Sequence, residues 1–264
     1  DRLPPVSVAV PSVRVVAVRV TMSVKSLSSK RNASSTLLYL NSAVSITEIK
    51  SIPTEETTVK NNFINSIATI DDSIFYLNTY GSLYSINSNN FSFNWFINLN
   101  KSVDLKTLNL FNSNPLIVHN DKIIVSTDTN LYILNKENGA IIHDISVSSI
   151  INPTITANNL FLITRNNLLI CADLTSGKII FSVDINQKIA DFLDTKKKNV
   201  SVKYLSVLNN NLFIFLNNSY VVEFSRNGKL LGVDKSAAKL KTLPIYVNNS
   251  ILFLNKNNKL IISN

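Results

Sequence analysis

The chain has 264 residues, 45% hydrophobic and 16% charged, with a formal net charge of +9. A chain of that length and apolar content can bury a sizeable core, which excludes wholesale disorder. Its single cysteine, Cys171, excludes an intrachain disulfide and any cysteine-rich metal site.

The first 31 residues differ in composition from the rest. They hold Arg2, Arg14, Arg19, Lys25, Lys30 and Arg31 against Asp1 alone, and contain no Asn. After them Asn is abundant, and Arg recurs only at Arg165 and Arg226. A foreign upstream segment joined to an Asn-rich chain and a genuine basic arm both fit, and composition favours the first. Either way residues 1–31 are expected to be poorly packed. Without them the excess charge is ordinary for a sheet surface, and no nucleic-acid-binding pattern accompanies it. Residues 32–66 read as a linker that includes a candidate closing strand, with Thr36–Leu40 as a strand and Ser51–Glu56 as a connecting stretch. No apolar run approaches the ~18–20 residues of a membrane helix.

From residue 67 to 264 one phrase recurs, starting at Ile67, Pro115, Pro153, Leu205 and Pro244. It consists of a short strand, a polar pair, a strongly apolar strand, a polar turn and another strand. The polar pairs are Asp71-Asp72, Asn120-Asp121, Asn158-Asn159, Asn209-Asn210 and Asn248-Asn249. Asn and Asp tolerate left-handed backbone and close their own turns, which suits them to hairpins. The second turn falls at Tyr80-Gly81, Thr129-Asn130, Asn166-Asn167, Asn217-Asn218 and Asn257-Asn258. Apolar runs such as Ile123-Ile124-Val125 and Leu212–Phe215 are too short for helices and read as strands buried on both faces.

A fourth strand is expected after each of the first four phrases, at Ser92–Phe96, Ala140–His143, Lys178–Phe181 and Lys229–Leu231. Phrase spacings of roughly 40–50 residues fit four-stranded propeller blades. The fold class expected is all-β, a propeller of four-stranded antiparallel blades. About five are present, the last lacks its outer strand, and ring closure is irregular or missing. Residues 13–24 and 36–48 are the candidates for that strand. The insertion at 186–200 carries Ile189, Phe192 and Leu193 at helical spacing, with Asn186 as the expected N-cap.

The segment Ala172–Phe181 resembles the blade signature of PQQ-like propellers, A-x-D-x-x-[TS]-G-x-x-x-W. Weaker copies run from Asn135 to His143 and from Ser85 to Trp95. The resemblance implies that the glycine makes a tight turn and the tryptophan wedges between neighbouring blades. Trp95, His143 and Phe181 occupy the wedge slots here, and the two departures from Trp imply weaker stapling. Over about residues 60–264 the repeats are most similar to the BamB family of outer-membrane β-barrel assembly scaffolds. That resemblance implies a periplasmic, outer-membrane-associated protein with further blades upstream. It also implies a protein partner, a BamA-type barrel insertase.

Little reactive chemistry is visible. His119 and His143 are the only histidines, and neither has a second ligand at metal spacing. Neither a glycine-rich phosphate loop nor the paired cysteines of quinone-dependent dehydrogenases can be assembled, so no cofactor is expected. The function expected is a non-enzymatic protein-binding scaffold. The alternatives are an enzyme or small-molecule binder using the propeller's central funnel, and a truncated fragment without native function. The candidate contact residues are Phe192 as an apolar anchor and Lys196, Lys197 and Lys198 as a basic loop for an acidic partner.

Overall fold

The computed structural model describes residues 14–24, 42–53, 66–100, 111–247 and 250–263. β1 (Arg14–Val24) and β2 (Ser42–Pro53) form an antiparallel pair by themselves. The remaining strands form five consecutive antiparallel sheets, which are the blades of a β-propeller-like fold. The first blade is β3 (Ser66–Ile70), β4 (Ser73–Leu77), β5 (Ser82–Asn87) and β6 (Phe93–Asn98). The second is β7 (Ile117–His119), β8 (Lys122–Ser126), β9 (Leu131–Asn135) and β10 (Ile141–Ile145). The third is β11 (Thr154–Thr156), β12 (Asn159–Ile163), β13 (Leu168–Asp173) and β14 (Ile179–Asp184). After α1 (Ile185–Phe192) comes the fourth, β15 (Val202–Leu208), β16 (Asn211–Leu216), β17 (Tyr220–Ser225) and β18 (Leu230–Lys235). The fifth has three strands, β19 (Ile245–Val247), β20 (Ser250–Leu254) and β21 (Leu260–Ser263).

Each blade is a meander because its strands are joined by turns whose residues accept positive φ. Asp71, Asn120, Asn209 and Asn210 take φ between 48° and 69° at the first turn. In the third blade the turn falls one residue earlier than the polar pair suggests. Ala157 takes φ 52°, and Asn159 already belongs to β12. Asn248-Asn249 lies outside the described residues. The second turns use Gly81, Asn167 and Asn258 in the same region, while in the fourth blade Ser219 and not Asn217 or Asn218 has positive φ.

The middle strands of the inner blades are buried on both faces because those blades lie between two neighbours. In β12 and β13, Phe161, Ile163, Leu169 and Cys171 face the fourth blade's Leu212, Ile214, Val222 and Phe224. The alternate residues Leu160, Leu162 and Ile170 face the second blade's Ile124, Leu131 and Ile133. Period-two alternation therefore sends one set of side chains to each neighbour. Burial pushes the Cys171 thiol up to about 11, which suits an inert core residue.

The blades are joined at their outer strands by a ring laid on a glycine. Trp95 of β6 covers Gly139, His143 of β10 covers Gly177, and Phe181 of β14 covers Gly228. A Cβ at Gly139 would sit 2.6 Å from the Trp95 ring, and one at Gly177 would sit 2.6 Å from the His143 ring. All three glycines also take positive φ, so they satisfy a turn and a close approach together. Each ring is aimed by a one-residue β-bulge. The register of the outer ladder slips at Asn94, Ile142 and Ile180, the residues just before the rings.

The joints are graded. Trp95 Nε1 donates to Lys136 O at 3.0 Å, and His143 Nε2 donates to Thr175 O at 2.8 Å. His143 thus keeps the hydrogen bond of a tryptophan wedge, so that departure costs less stapling than the sequence implies. Phe181 has no donor and contributes packing alone. In the fourth blade the bulge recurs at Leu231, but the wedge slot holds Gly232. There the joint to the fifth blade relies on other contacts. Tyr204 Oη donates to Lys241 O at 2.8 Å, Phe213 meets Tyr246 with ring centroids 6.5 Å apart, and Lys203 Nζ donates to Leu240 O.

The N-terminal expectations are partly corrected. Ser51, Ile52 and Pro53 belong to β2 instead of a linker, and Arg14–Val24 is a strand whose pairing shifts register between Ala17 and Val18. β2 pairs with β1 and, among the described residues, no strand lies along the second edge of β21. Thr36–Leu40 and the packing of residues 1–31 fall outside the described residues.

Replacement of Gly139 with Ala is expected to destabilise the protein by about 1–3 kcal/mol through clash and backbone strain. Gly232 lacks positive φ, and a Cβ there makes only ordinary contact with Asp234 at 3.4 Å. Gly232→Ala should therefore be neutral or stabilising by about 0.4–1 kcal/mol. Urea unfolding of the two variants checks the contrast.

Candidate functional site

The insertion between the third and fourth blades builds an apolar cleft. Asp184 and not Asn186 caps α1, its side chain accepting from Gln187 N at 3.1 Å. Asn186 is freed for another task because it is buried inside the first turn. Its Oδ1 accepts from Val200 N at 3.0 Å, and Asn167 Nδ2 donates to Asn199 Oδ1 at 2.8 Å and to Val200 O at 2.7 Å. Asn167, 3% exposed and at φ 57°, thereby ties both ends of the insertion to the third blade. A buried amide network of this kind fixes geometry because leaving any member unpaired is costly.

The fixed insertion leans over the fourth blade and encloses a cleft of about 360 Å³. Ile189, Leu193, Leu216, Tyr220 and Val233 form its apolar walls, and Lys196 and Lys198 stand at its rim. Of the four residues singled out from sequence, the structure brings these two lysines to the cleft. Lys197 turns the other way, its Nζ 2.6 Å from Asp184 Oδ2. Phe192 is 51% exposed on α1 and is not among the residues lining the cleft, whereas Leu193, 45% exposed, is. Helical spacing could have indicated Ile189 and Leu193. The walls from Leu216, Tyr220 and Val233 come from another blade and leave no local signal.

Lys197 pairs with the α1 cap. Its ammonium beside Asp184 holds that carboxyl below the ordinary value of 3.8, helped by the α1 backbone N–H groups. A depressed folded pKa contributes stability above the ordinary value, and that contribution is lost as pH falls through the depressed one.

Elsewhere, His119 Nε2 lies 3.2 Å from Ala157 O and His143 serves the blade joint. No group of three or more potential metal ligands occurs among the described residues. A second cleft of about 260 Å³ lies at the second and third blades, lined by Ser, Thr and Asn side chains with Asp128 and Arg165.

No family model and no curated protein matches the chain. Among solved structures, the computationally designed Ika8 protein aligns with a TM-score of 0.54 at 9% identity, over 74% of this chain and 56% of that one. The chain therefore spans little more than half the length of that structure, and at this identity the likeness concerns the fold alone. BamB from Moraxella catarrhalis aligns with a TM-score of 0.44 at 9% identity, over 74% of this chain and 68% of that one. The designed Ika4 protein gives 0.42 at 11% identity, over 57% and 89%.

Replacing Lys197 with Ala should lower the thermal midpoint at pH 7, and the difference should shrink at acid pH as the Asp184 carboxylate is protonated. Parallel melting curves of wild type and variant check this. Equal differences at both pH values would contradict the assigned role.

Proposed function

We propose that the chain is a non-enzymatic, protein-binding scaffold whose contact surface is the cleft between the α1 insertion and the fourth blade. The observation that carries this reading is the pairing of a preformed apolar cleft with two rim lysines that have no carboxylate within 4 Å among the described residues. Apolar walls supply a pocket for a hydrophobic anchor, and rim charges steer an acidic partner toward it. The Asn167 network supports this reading because a preorganised site loses less entropy on binding.

The finer proposal is a BamB-like role in outer-membrane β-barrel assembly, in the periplasm, with a BamA-type insertase as partner. It rests on the blade signature at Ala172–Phe181 and its copies at His143 and Trp95. Among the described residues no helix is long and apolar enough to cross a membrane.

The test is affinity for the periplasmic region of a BamA-type insertase. The triple variant Leu193→Asp, Lys196→Glu, Lys198→Glu is expected to bind at least about tenfold more weakly. Lys197→Ala should bind nearly as wild type. Undiminished affinity in the triple variant would remove the cleft as the contact surface, and no binding by wild type would remove the proposed partner.

A further inference from the structure

The polar cleft of about 260 Å³ at the second and third blades shares no lining residue with the α1 cleft. Two kinds of segment build it. The stretches entering β7 and β11 supply Asn112, Ser113, Ser148 and Ile150, and the β8–β9 and β12–β13 turns supply Asp128 and Arg165. Hydrogen bonds across the blade joint fix this frame. Asn114 Nδ2 donates to Ser149 O at 2.9 Å, Asn114 N donates to Ser126 O at 2.8 Å, and Ile150 N donates to Ile163 O at 2.9 Å.

Each charge follows a threonine that closes its turn. Thr127 Oγ1 accepts from Asn130 N at 2.8 Å, and Thr164 Oγ1 accepts from Leu168 N at 3.1 Å. The threonine hydroxyls thus hold the turns, and the charged side chains next to them are not needed for that task. Asp128 and Arg165 are both exposed. Among the described residues neither side chain has an ion pair within 4 Å or a hydrogen bond, so the two charges of opposite sign do not neutralise each other by contact. The Ser113 and Ser148 hydroxyls and the Asn112 amide are likewise without a hydrogen-bond partner among the described residues.

The two signs restrict what can bind. A simple anion drawn to Arg165 meets the Asp128 carboxylate in the same cleft, and a simple cation drawn to Asp128 meets the Arg165 guanidinium. A molecule carrying both charges satisfies both groups, its carboxylate on the guanidinium fork and its ammonium on the carboxylate. The free hydroxyls and amide serve polar atoms lying between. Volume limits the size, because about 260 Å³ falls below the roughly 300–1,000 Å³ of pockets for drug-sized ligands. Ile150 is the one apolar side chain among the lining residues, so the cleft offers little to a long apolar group.

We propose that this cleft binds a small zwitterion, an amino acid or short peptide, with its carboxylate on Arg165 and its ammonium on Asp128. Charge pairing at both ends supplies the selectivity, and the frame held by Asn114 supplies the preorganisation. This site goes beyond the protein contact at α1 and stands whether or not that cleft binds a protein.

The probes are glycine, glycylglycine and triglycine, titrated into the whole chain and followed by backbone amide chemical shifts. At least one should give saturable shifts at the amides of Ser113, Asp128, Ser148 and Arg165. Tightest binding by glycine assigns the site to amino acids, and tightest binding by a longer probe assigns it to peptides. Two derivatives of the best probe lack one charge each, the ammonium by N-acetylation or the carboxylate by amidation. Each should bind at least about tenfold more weakly. Arg165→Gln, a change of an exposed side chain, should abolish the preference over the amide and keep the preference over the acetylated form. Asp128→Asn should do the converse. The α1-cleft variant Leu193→Asp should bind the probe as wild type does. Equal binding of the three forms, preferences that neither variant alters, or no saturable shift with any zwitterion overturns the proposal.

Discussion

The arrangement depends on a ring pressed against a glycine at the first three blade joints. A β-sheet buried on both faces has no intrinsic means of fixing where its neighbour sits, since apolar surfaces slide at little cost. The ring-on-glycine contact removes that freedom. The glycine must lack a side chain for the ring to reach it, must accept positive φ for the turn to close, and must sit opposite a bulge that aims the ring. Where the ring also donates a hydrogen bond, as at Trp95 and His143, the joint gains about 0.5–1.5 kcal/mol and a direction. Phe181 supplies the contact without the direction, and Gly232 supplies neither.

This gradient runs toward the fifth blade. The wedge is lost at the fourth joint, where Gly232 has no ring to lay down. At the other end of the row Phe91 of the first blade fills the turn position that the receiving glycines hold, at φ 56°, and packs with Tyr76, Tyr84 and Ile86. A turn that receives no ring from a described neighbour can carry a side chain, and Phe91 uses the space. The first blade thus differs from the inner three at the position where the joint is made.

Much of this was legible in the sequence because the repeat is written in residues with a single physical use. Alternating burial and Asn and Asp at left-handed turns survive degeneration of the repeat, and the glycine four residues before an aromatic ring survives at Gly139–His143 and Gly177–Phe181. The fourth strands and the short helix followed from the same patterns. What the sequence concealed was relational. Nothing local shows that Asn186 serves a buried network while Asp184 caps the helix, because both residue types cap helices well. Nothing local shows that Lys197 faces Asp184 while its neighbours face the cleft, because a run of three lysines carries no orientation. Bulges at Asn94, Ile142, Ile180 and Leu231 leave no mark in composition, since the residue pushed out can be polar or apolar. The cleft was half legible for a similar reason: its α1 wall is contiguous in sequence, and its opposite wall belongs to another blade.

The central claim is that successive blades are fixed by an aromatic ring lying on the next blade's glycine. Nuclear Overhauser contacts between side-chain ring protons and glycine α-protons test it directly. The account predicts contacts from Trp95 to Gly139, from His143 to Gly177 and from Phe181 to Gly228, with each glycine α-proton shifted by the ring current. Absence of these contacts, with the three glycines at ordinary chemical shifts in a folded protein, would contradict it.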